Sequence, residues 1–300
     1  MDVAILGCGY VGLELARQLE AAGHTAVGVR RSEDGLAAVR ETGADAVQAD
    51  VTDAESLDSV PDVDAVVFAA SSGGRGAEAA REVYVEGLRT AVEAFGGRED
   101  APARFVYTSS TGVYGDHDGD WVDEDTPLDP TTEKTEVLVA AERVALDQAP
   151  EFGMDPAVVR FAGLYGPDRY RLTRYLEGPV TEGYLNMVHR EDAAGVVRFA
   201  LTDDAAVDED VLLAVDDEPV EKWAFADWLA DECGVDRPEK QTVAERIAAG
   251  DLSTPAERRL HTSKRCSNET LRELGYEFTY PTFREGYRAA VDAFERGDYK

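Results

Sequence analysis

The sequence predicts an α/β fold: a doubly wound parallel sheet with a smaller, mainly helical C-terminal lobe. Three observations carry this. Short apolar runs alternate with helix-period segments through the first half of the chain. Those runs are near-continuous Val, Ile and Ala, the pattern of strands covered on both faces. The first of them leads directly into Gly7-Cys8-Gly9-Tyr10-Val11-Gly12, a glycine-rich turn that opens a helix.

Taken in order, residues 3–6, 25–29, 46–49, 65–70 and 105–108 read as strands, and residues 11–22, 35–42 and 75–95 as the helices between them. Right-handed crossovers then build βαβ units. A further helix over 135–148 leads to a strand at 157–161, after which the alternation weakens. From about residue 216 the pattern is mainly helical, with Trp223 and Trp228 on one packed stripe. No internal repeat or low-complexity linker is present. The expected division is therefore a dinucleotide-type domain over 1–215, with 160–190 contributing to a substrate pocket, and a smaller substrate lobe over 216–300.

With 300 residues, 44% of them hydrophobic, the chain is long enough for one large core or a core plus a small lobe. Its 61 acidic against 30 basic residues give a formal net charge of −31, which repels phosphate backbones and anionic membranes. Nucleic acid and membrane partners are not expected. Only five of the basic residues are lysines, and the acids are spread throughout, which suits a halophilic protein whose surface charge is screened by salt. Cys8, Cys233 and Cys266 are odd in number and lack metal-ligand spacing, and the sequence opens on a strand pattern without a leader-like segment. A reduced, cytoplasmic protein is the expectation. No apolar run approaches the ~20 residues of a spanning helix. The acids from Asp116 to Asp125 read as a solvated loop, not a cation site, so no metal is expected.

The glycine turn has a specific chemistry. Gly7 permits the tight turn, Gly9 lets a pyrophosphate approach the backbone, and Gly12 allows helix and strand to pack closely. The free amides at the start of the helix, from Tyr10 and Val11 onward, favour phosphate. An acid about 20 residues on would accept from a ribose 2′-hydroxyl. Arg30 and Arg31 stand there instead, and two guanidiniums suit a 2′-phosphate, so NADP is expected over NAD. Asp50, with Val51 beside it, is placed to accept from an adenine amino group or to cap the helix that begins near Asp53, and Ala69, Ala70 and Ser71 leave room for a cofactor across the sheet edge.

With these residues in hand, the sequence resembles the extended short-chain dehydrogenase/reductase superfamily, the NAD(P)-dependent epimerases and dehydratases with a Rossmann fold. The resemblance rests on the glycine turn and on three later blocks: Tyr107 to Gly115, Arg160 to Pro167 and Asn186 to Ala193. The tail, from Lys264-Arg265-Cys266-Ser267-Asn268 to Tyr280-Pro281-Thr282-Phe283-Arg284-Glu285-Gly286, resembles the atypical branch. The resemblance implies an oxidoreductase or epimerase/dehydratase acting on a hydroxyl or carbonyl of a sugar or sugar nucleotide. It adds Leu164 to the cofactor contacts and assigns Thr111, Tyr165, Asn186 and His189 to the substrate side. It also implies a dimer through helices 75–95 and 135–148, with Val137, Ala141 and Val144 as a seam, and an anion-holding group of Arg160, Arg169, Arg171 and Arg174.

One departure stands out. The family's acid/base pair is a tyrosine with a lysine four residues on, oriented by an upstream Ser or Thr. Ser110 matches the last of these, but counting back from Glu142 puts Lys134 at the tyrosine place and Leu138 at the lysine place. The asparagine expected before the NxxG turn is replaced too, since Tyr84-Val85-Glu86-Gly87 stands there. The catalytic candidates are therefore Ser110, Tyr114 and Lys134, with Tyr84 and His189 as further groups. The alternative is a non-catalytic dinucleotide-binding protein that senses redox state or scaffolds another enzyme.

Overall fold

The computed structural model describes residues 1–72, 76–250 and 252–299, apart from the side chains of Thr254, Pro255, Arg258 and Arg259. The main sheet has seven strands, β1 (Asp2–Leu6), β2 (Thr25–Arg30), β3 (Asp45–Gln48), β4 (Ala65–Phe68), β5 (Arg104–Ser110), β6 (Asp155–Phe161) and β7 (Val211–Ala214). Their spatial order is β7-β6-β5-β4-β1-β2-β3, and every pairing from β6 to β3 is parallel. The order reverses at β1 and β4, the switch point at which such sheets bind ligands beyond the carboxyl ends of their strands. The helices that cover it include α1 (Tyr10–Ala21), α2 (Glu33–Arg40), α3 (Ala54–Leu57), α4 (Ala77–Arg81), α5 (Leu88–Gly96) and α6 (Glu133–Gln148).

The strands form where two-sided burial was legible: Val3 to Leu6 and all of β4 are buried. The expected helix over 75–95 is interrupted. Between α4 and α5 a π-helical turn spans Glu82–Gly87, and Arg75 lies outside the described residues. The chain forms two compact units, one of Met1–Val113, Glu133–Phe161 and Ala193–Leu212, the other of Tyr114–Thr132, Ala162–Asp192 and Leu213–Lys300.

The first unit holds the sheet and a core that includes Leu6, Val66, Phe68, Phe95, Phe105 and Tyr107. Val137, Ala141 and Val144 belong to this core, so the expectation that they form an intermolecular seam is corrected: α6 spends them on its own sheet. Arg160 is corrected likewise. It is buried in an ion pair with Glu142 of α6, whose carboxylate also accepts from the Ser109 hydroxyl at 2.6 Å, and is not free for an anion.

The second unit is built from helices and strand pairs of two or three residues, such as Trp121–Val122 with Arg265–Cys266 and Val180–Thr181 with Lys240–Gln241. Its aromatic core gathers Tyr165, Tyr175, Phe225, Phe283 and Tyr287, with Trp223 and Trp228 packed against it as the stripe predicts. Asn268 stands at the N-terminus of helix Glu269–Glu273, but its amide goes to Asp217 and the Val215 carbonyl; Ser267 accepts from Glu269 instead. Among the described residues no helix is long and apolar enough to cross a membrane, and no cluster of His, Cys, Asp or Glu is spaced to hold a metal.

Candidate functional site

The first unit presents a cradle at the carboxyl ends of β1, β2, β3 and β4. Gly7 adopts φ +81°, and a Cβ there would lie 2.2 Å from the Ala70 Cα, so only glycine lets the turn pass under the end of β4. The Gly7 and Cys8 amides both donate to the Val29 carbonyl, which ties the turn to β2. Gly12 sits against Ile5, close enough that an added Cβ would stand 3.1 Å from its Cγ2. Helix α1 then begins at Tyr10 with Gly9 as its cap residue, without a side-chain cap and without an acid in its first turn. In a chain this acidic, a helix start left bare of carboxylates retains its amides and dipole for an anion. A dinucleotide pyrophosphate fits this turn. The Cys8 thiol is buried, and burial pushes its pKa up to about 12, so it fills space and does not react.

The two arginines after β2 behave differently. Arg30 folds back: its Nη1 donates to the Cys8 carbonyl at 3.1 Å and covers Gly9, where a Cβ would come within 2.9 Å of it. Arg31 points to solvent, 60% exposed, and reaches Asp50 Oδ2 at 3.4 Å. Burial acts to raise the Asp50 pKa, but hydrogen bonds from the Thr52 amide and hydroxyl, with Arg31 alongside, hold it below the usual carboxylate range. Val51 is buried next to it, Ala69 and Ala70 are half-buried, and Ser71 is exposed at the end of β4.

Of the catalytic candidates, Ser110 ends β5 half-buried, with its Oγ accepting from the Gly112 amide at 3.2 Å. Thr111 is buried beside it. Lys134 lies exposed on the first turn of α6, and Leu138, one turn on, is buried. Tyr84 is half-buried, and its hydroxyl accepts from the Ser72 amide at 3.4 Å.

The remaining candidates lie in the second unit. Tyr114 is fully buried. Gly163–Tyr165 pairs with Met187–His189 in parallel, setting Tyr165 opposite His189 and Leu164 opposite Val188. The Tyr165 ring stacks on Tyr287 at 5.0 Å, and its buried hydroxyl is directed at Gly286, where a Cβ would fall 2.1 Å away. His189 is also buried, against Tyr165 and Tyr280, with Nδ1 accepting from the Glu191 amide. Asn186 spends both ends of its amide on the tail, donating to the Lys264 carbonyl and accepting from the Cys266 amide. Asp192, in the first turn of the helix that follows, accepts from the Thr279 and Tyr280 amides. Arg169, Arg171 and Arg174 are exposed.

Two residues of this unit escaped the sequence reading. Lys264 is buried, donates from Nζ to the Gly115 carbonyl at 2.8 Å, and has its pKa lowered by that burial. Its signal was available, because lysine is scarce in this chain and this one heads the Lys264–Asn268 block. Asp216 is buried with one carboxylate oxygen unpartnered, and burial holds its pKa well above the carboxylate range. Nothing in its local sequence marks it.

Residues 3–209 match the model of the NAD dependent epimerase/dehydratase family. The chain belongs to that family. Protein YeeZ of Escherichia coli (strain K12) is 34% identical to this epimerase/dehydratase homologue over 207 residues, covering 66% of this chain and 72% of YeeZ. The family fold extends over the rest of the chain. A functionally unknown conserved protein from Silicibacter pomeroyi DSS superposes with TM-score 0.76 at 27% identity, covering 99% of both chains. The dTDP-glucose 4,6-dehydratase DesIV from Streptomyces venezuelae, solved with NAD bound, superposes with TM-score 0.79 over 100% of this chain and 99% of its own. At 20% identity that last likeness speaks for the fold alone.

Proposed function

We propose that this family member is an NADP-dependent oxidoreductase or epimerase/dehydratase-like enzyme acting on a hydroxyl or carbonyl of a sugar or sugar nucleotide. The observation that carries the cofactor half is the start of α1 over Gly7 and Gly9, without a side-chain cap or an acid in its first turn, with Arg31 facing solvent beside Asp50 at the end of β2. Gly7, Gly9, Tyr10, Val11 and Gly12 would hold the pyrophosphate. Arg31 would pair with a 2′-phosphate, because a solvent-facing guanidinium offers two parallel donors to phosphate oxygens but no acceptor for the proton of an unmodified ribose 2′-hydroxyl. Asp50 and Val51 would flank the adenine, and Ala69, Ala70, Ser71 and Leu164 the rest of the dinucleotide. When bound, the nicotinamide supplies hydride acceptance or donation.

The chain's own contribution to such chemistry is orientation and proton transfer. Ser110, fixed by the Gly112 amide, would orient the substrate oxygen. Tyr114 and Lys134 are assigned the proton, in place of the missing tyrosine–lysine pair. Thr111, Tyr165, Asn186 and His189 would shape the substrate side, as would residues 160–190 and the 216–300 lobe. The sugar or sugar-nucleotide class is what the resemblance to the epimerase/dehydratase family implies. A second reading, a dinucleotide-binding protein without turnover, is favoured by the exposed Lys134 and buried Leu138 where the pair would stand.

Titration of NADPH and NADH at high salt, followed by nicotinamide fluorescence, tests the cofactor half: tight NADPH and weak NADH are expected, and binding of neither defeats both readings. Single-turnover absorbance with a panel of sugar nucleotides then separates the two. On the enzyme reading Ser110→Ala slows turnover about 100-fold or more at unchanged cofactor affinity; a cofactor that never changes redox state leaves the binding protein.

A further inference from the structure

The π-helical turn Glu82–Gly87 is the one interruption in the long helix that follows β4, and such turns insert an extra residue that re-aims the side chains around them. Here the turn faces two loops of the cradle at once. Tyr84, half-buried against the core of the first unit, takes the Ser72 amide on its hydroxyl, two residues beyond the Ala70 that packs on Gly7. Three residues later Gly87 lies against the loop after β3: a Cβ there would stand 3.1 Å from Val51 Cγ2 and 3.4 Å from Thr52 Cγ2. Ser71 and Val51 are the residues assigned above to the two ends of this side of the dinucleotide. The cradle's third wall, the glycine turn, touches the same assembly through Gly7 and Ala70.

We propose that Tyr84 is a positioning residue for the dinucleotide, and that the π-helical turn is the brace that sets the loops after β3 and β4 to each other. In a regular helix residues three apart lie about 60° from each other on one face; the wider π-helical turn spreads Tyr84 and Gly87 further around the axis, so that one meets the loop after β4 at Ser72 and the other the loop after β3 at Val51. Tyrosine at this place is the departure noted in the Tyr84-Val85-Glu86-Gly87 segment, and its reach explains it: the phenol spans from the helix to the Ser72 backbone. Tyr84 packs against the core cluster of the first unit to which the buried Tyr107 of β5 belongs.

The inference rests on the cofactor reading of the cradle, and the test separates the two. Wild type and Tyr84→Phe are compared at high salt for NADPH and NADH affinity, for unliganded melting temperature, and for hydrogen exchange of the Ser72 amide. The phenylalanine keeps the ring and removes only the acceptor. Expected are faster Ser72 exchange, a melting temperature within a degree or two, and a loss of about five-fold in affinity for both nucleotides, the size of one neutral hydrogen bond. The equal loss distinguishes this residue from Arg31, whose removal would affect NADPH alone. Wild-type affinity and wild-type Ser72 exchange in Tyr84→Phe overturn the proposal. If the wild type binds neither nucleotide, the cofactor reading fails, and with it Tyr84 as a dinucleotide-positioning residue, whereas Ser72 exchange still reports whether the brace exists.

Discussion

Arg30 and Arg31 are adjacent, carry the same charge, and do different work. Arg30 is spent on the Cys8 carbonyl and lies over Gly9, so it shapes the turn; Arg31 keeps its guanidinium in solvent with Asp50 as a weak partner. Arg31→Ser is expected to weaken NADPH by about ten-fold or more, the worth of a charge-assisted pair, and to leave NADH unchanged. Arg30→Ala is expected to weaken both, and parallel titrations read the difference. The sequence placed both side chains at the end of β2 but not their directions, because a side-chain rotamer leaves no trace in residue order. Asp216 is a second residue-scale case. Burial raises its folded-state pKa above its unfolded value, so the stability it allows is fully present below the unfolded pKa and is lost as pH rises through the folded one. With Asp217, Glu218 and Asp192 nearby, each raising it further, ionisation at Asp216 is opposed from its own loop and from the helix that begins at Arg190. Asp216→Asn is expected to flatten the fall in melting temperature as pH rises above the ordinary carboxylate range, relative to wild type; parallel slopes would refute this.

At the scale of elements, strands were the most legible, because burial on both faces writes itself as runs of Val and Ala in β1 and β4. The glycine turn was legible for a steric reason: Gly7 at φ +81° against Ala70 tolerates no side chain. The π-helical turn was not, since the apolar spacing over 75–95 fits a regular helix well enough to hide one inserted residue. Nor were the two-residue strand pairs of the second unit, whose partners lie about 35 to 145 residues apart and obey no local period. The tie between α6, β5 and β6 was missed because Glu142 and Arg160 each look like surface charges until the sheet brings them together with Ser109. Removing one partner strands a buried charge, so Glu142→Ala is expected to cost roughly 3–5 kcal/mol in urea unfolding. Replacing both with apolar residues of similar volume is expected to cost far less.

Across the whole molecule, the fold is legible in the sequence because length, alternation and the opening glycine turn agree, and consistency between levels is what specifies a structure. The acid/base groups were not, because the residues that occupy those places, Lys134 and Leu138, sit on α6 as an exposed and a core residue respectively. The net charge of −31 makes its own prediction. Self-repulsion opposes the compact state and is screened as the Debye length shrinks from ~10 Å at 0.1 M to ~3 Å at 1 M salt, so melting temperature is expected to climb steadily with potassium chloride over that range. A flat profile would show that the carboxylates are already balanced locally.

The route of the chain has a consequence for how the protein is made. The first unit is not complete until Ala193–Leu212 has been synthesised, and the outer edge of β6 finds its neighbour only when β7 emerges, with the Val158 amide bonded to the Asp210 carbonyl. For some fifty residues of translation between the two strands, a long, apolar strand waits with its backbone groups unmatched on one side. That interval is where a nascent chain is most exposed to pairing with a neighbour on the same messenger, and where a chaperone or a slowed ribosome would change the yield of native protein.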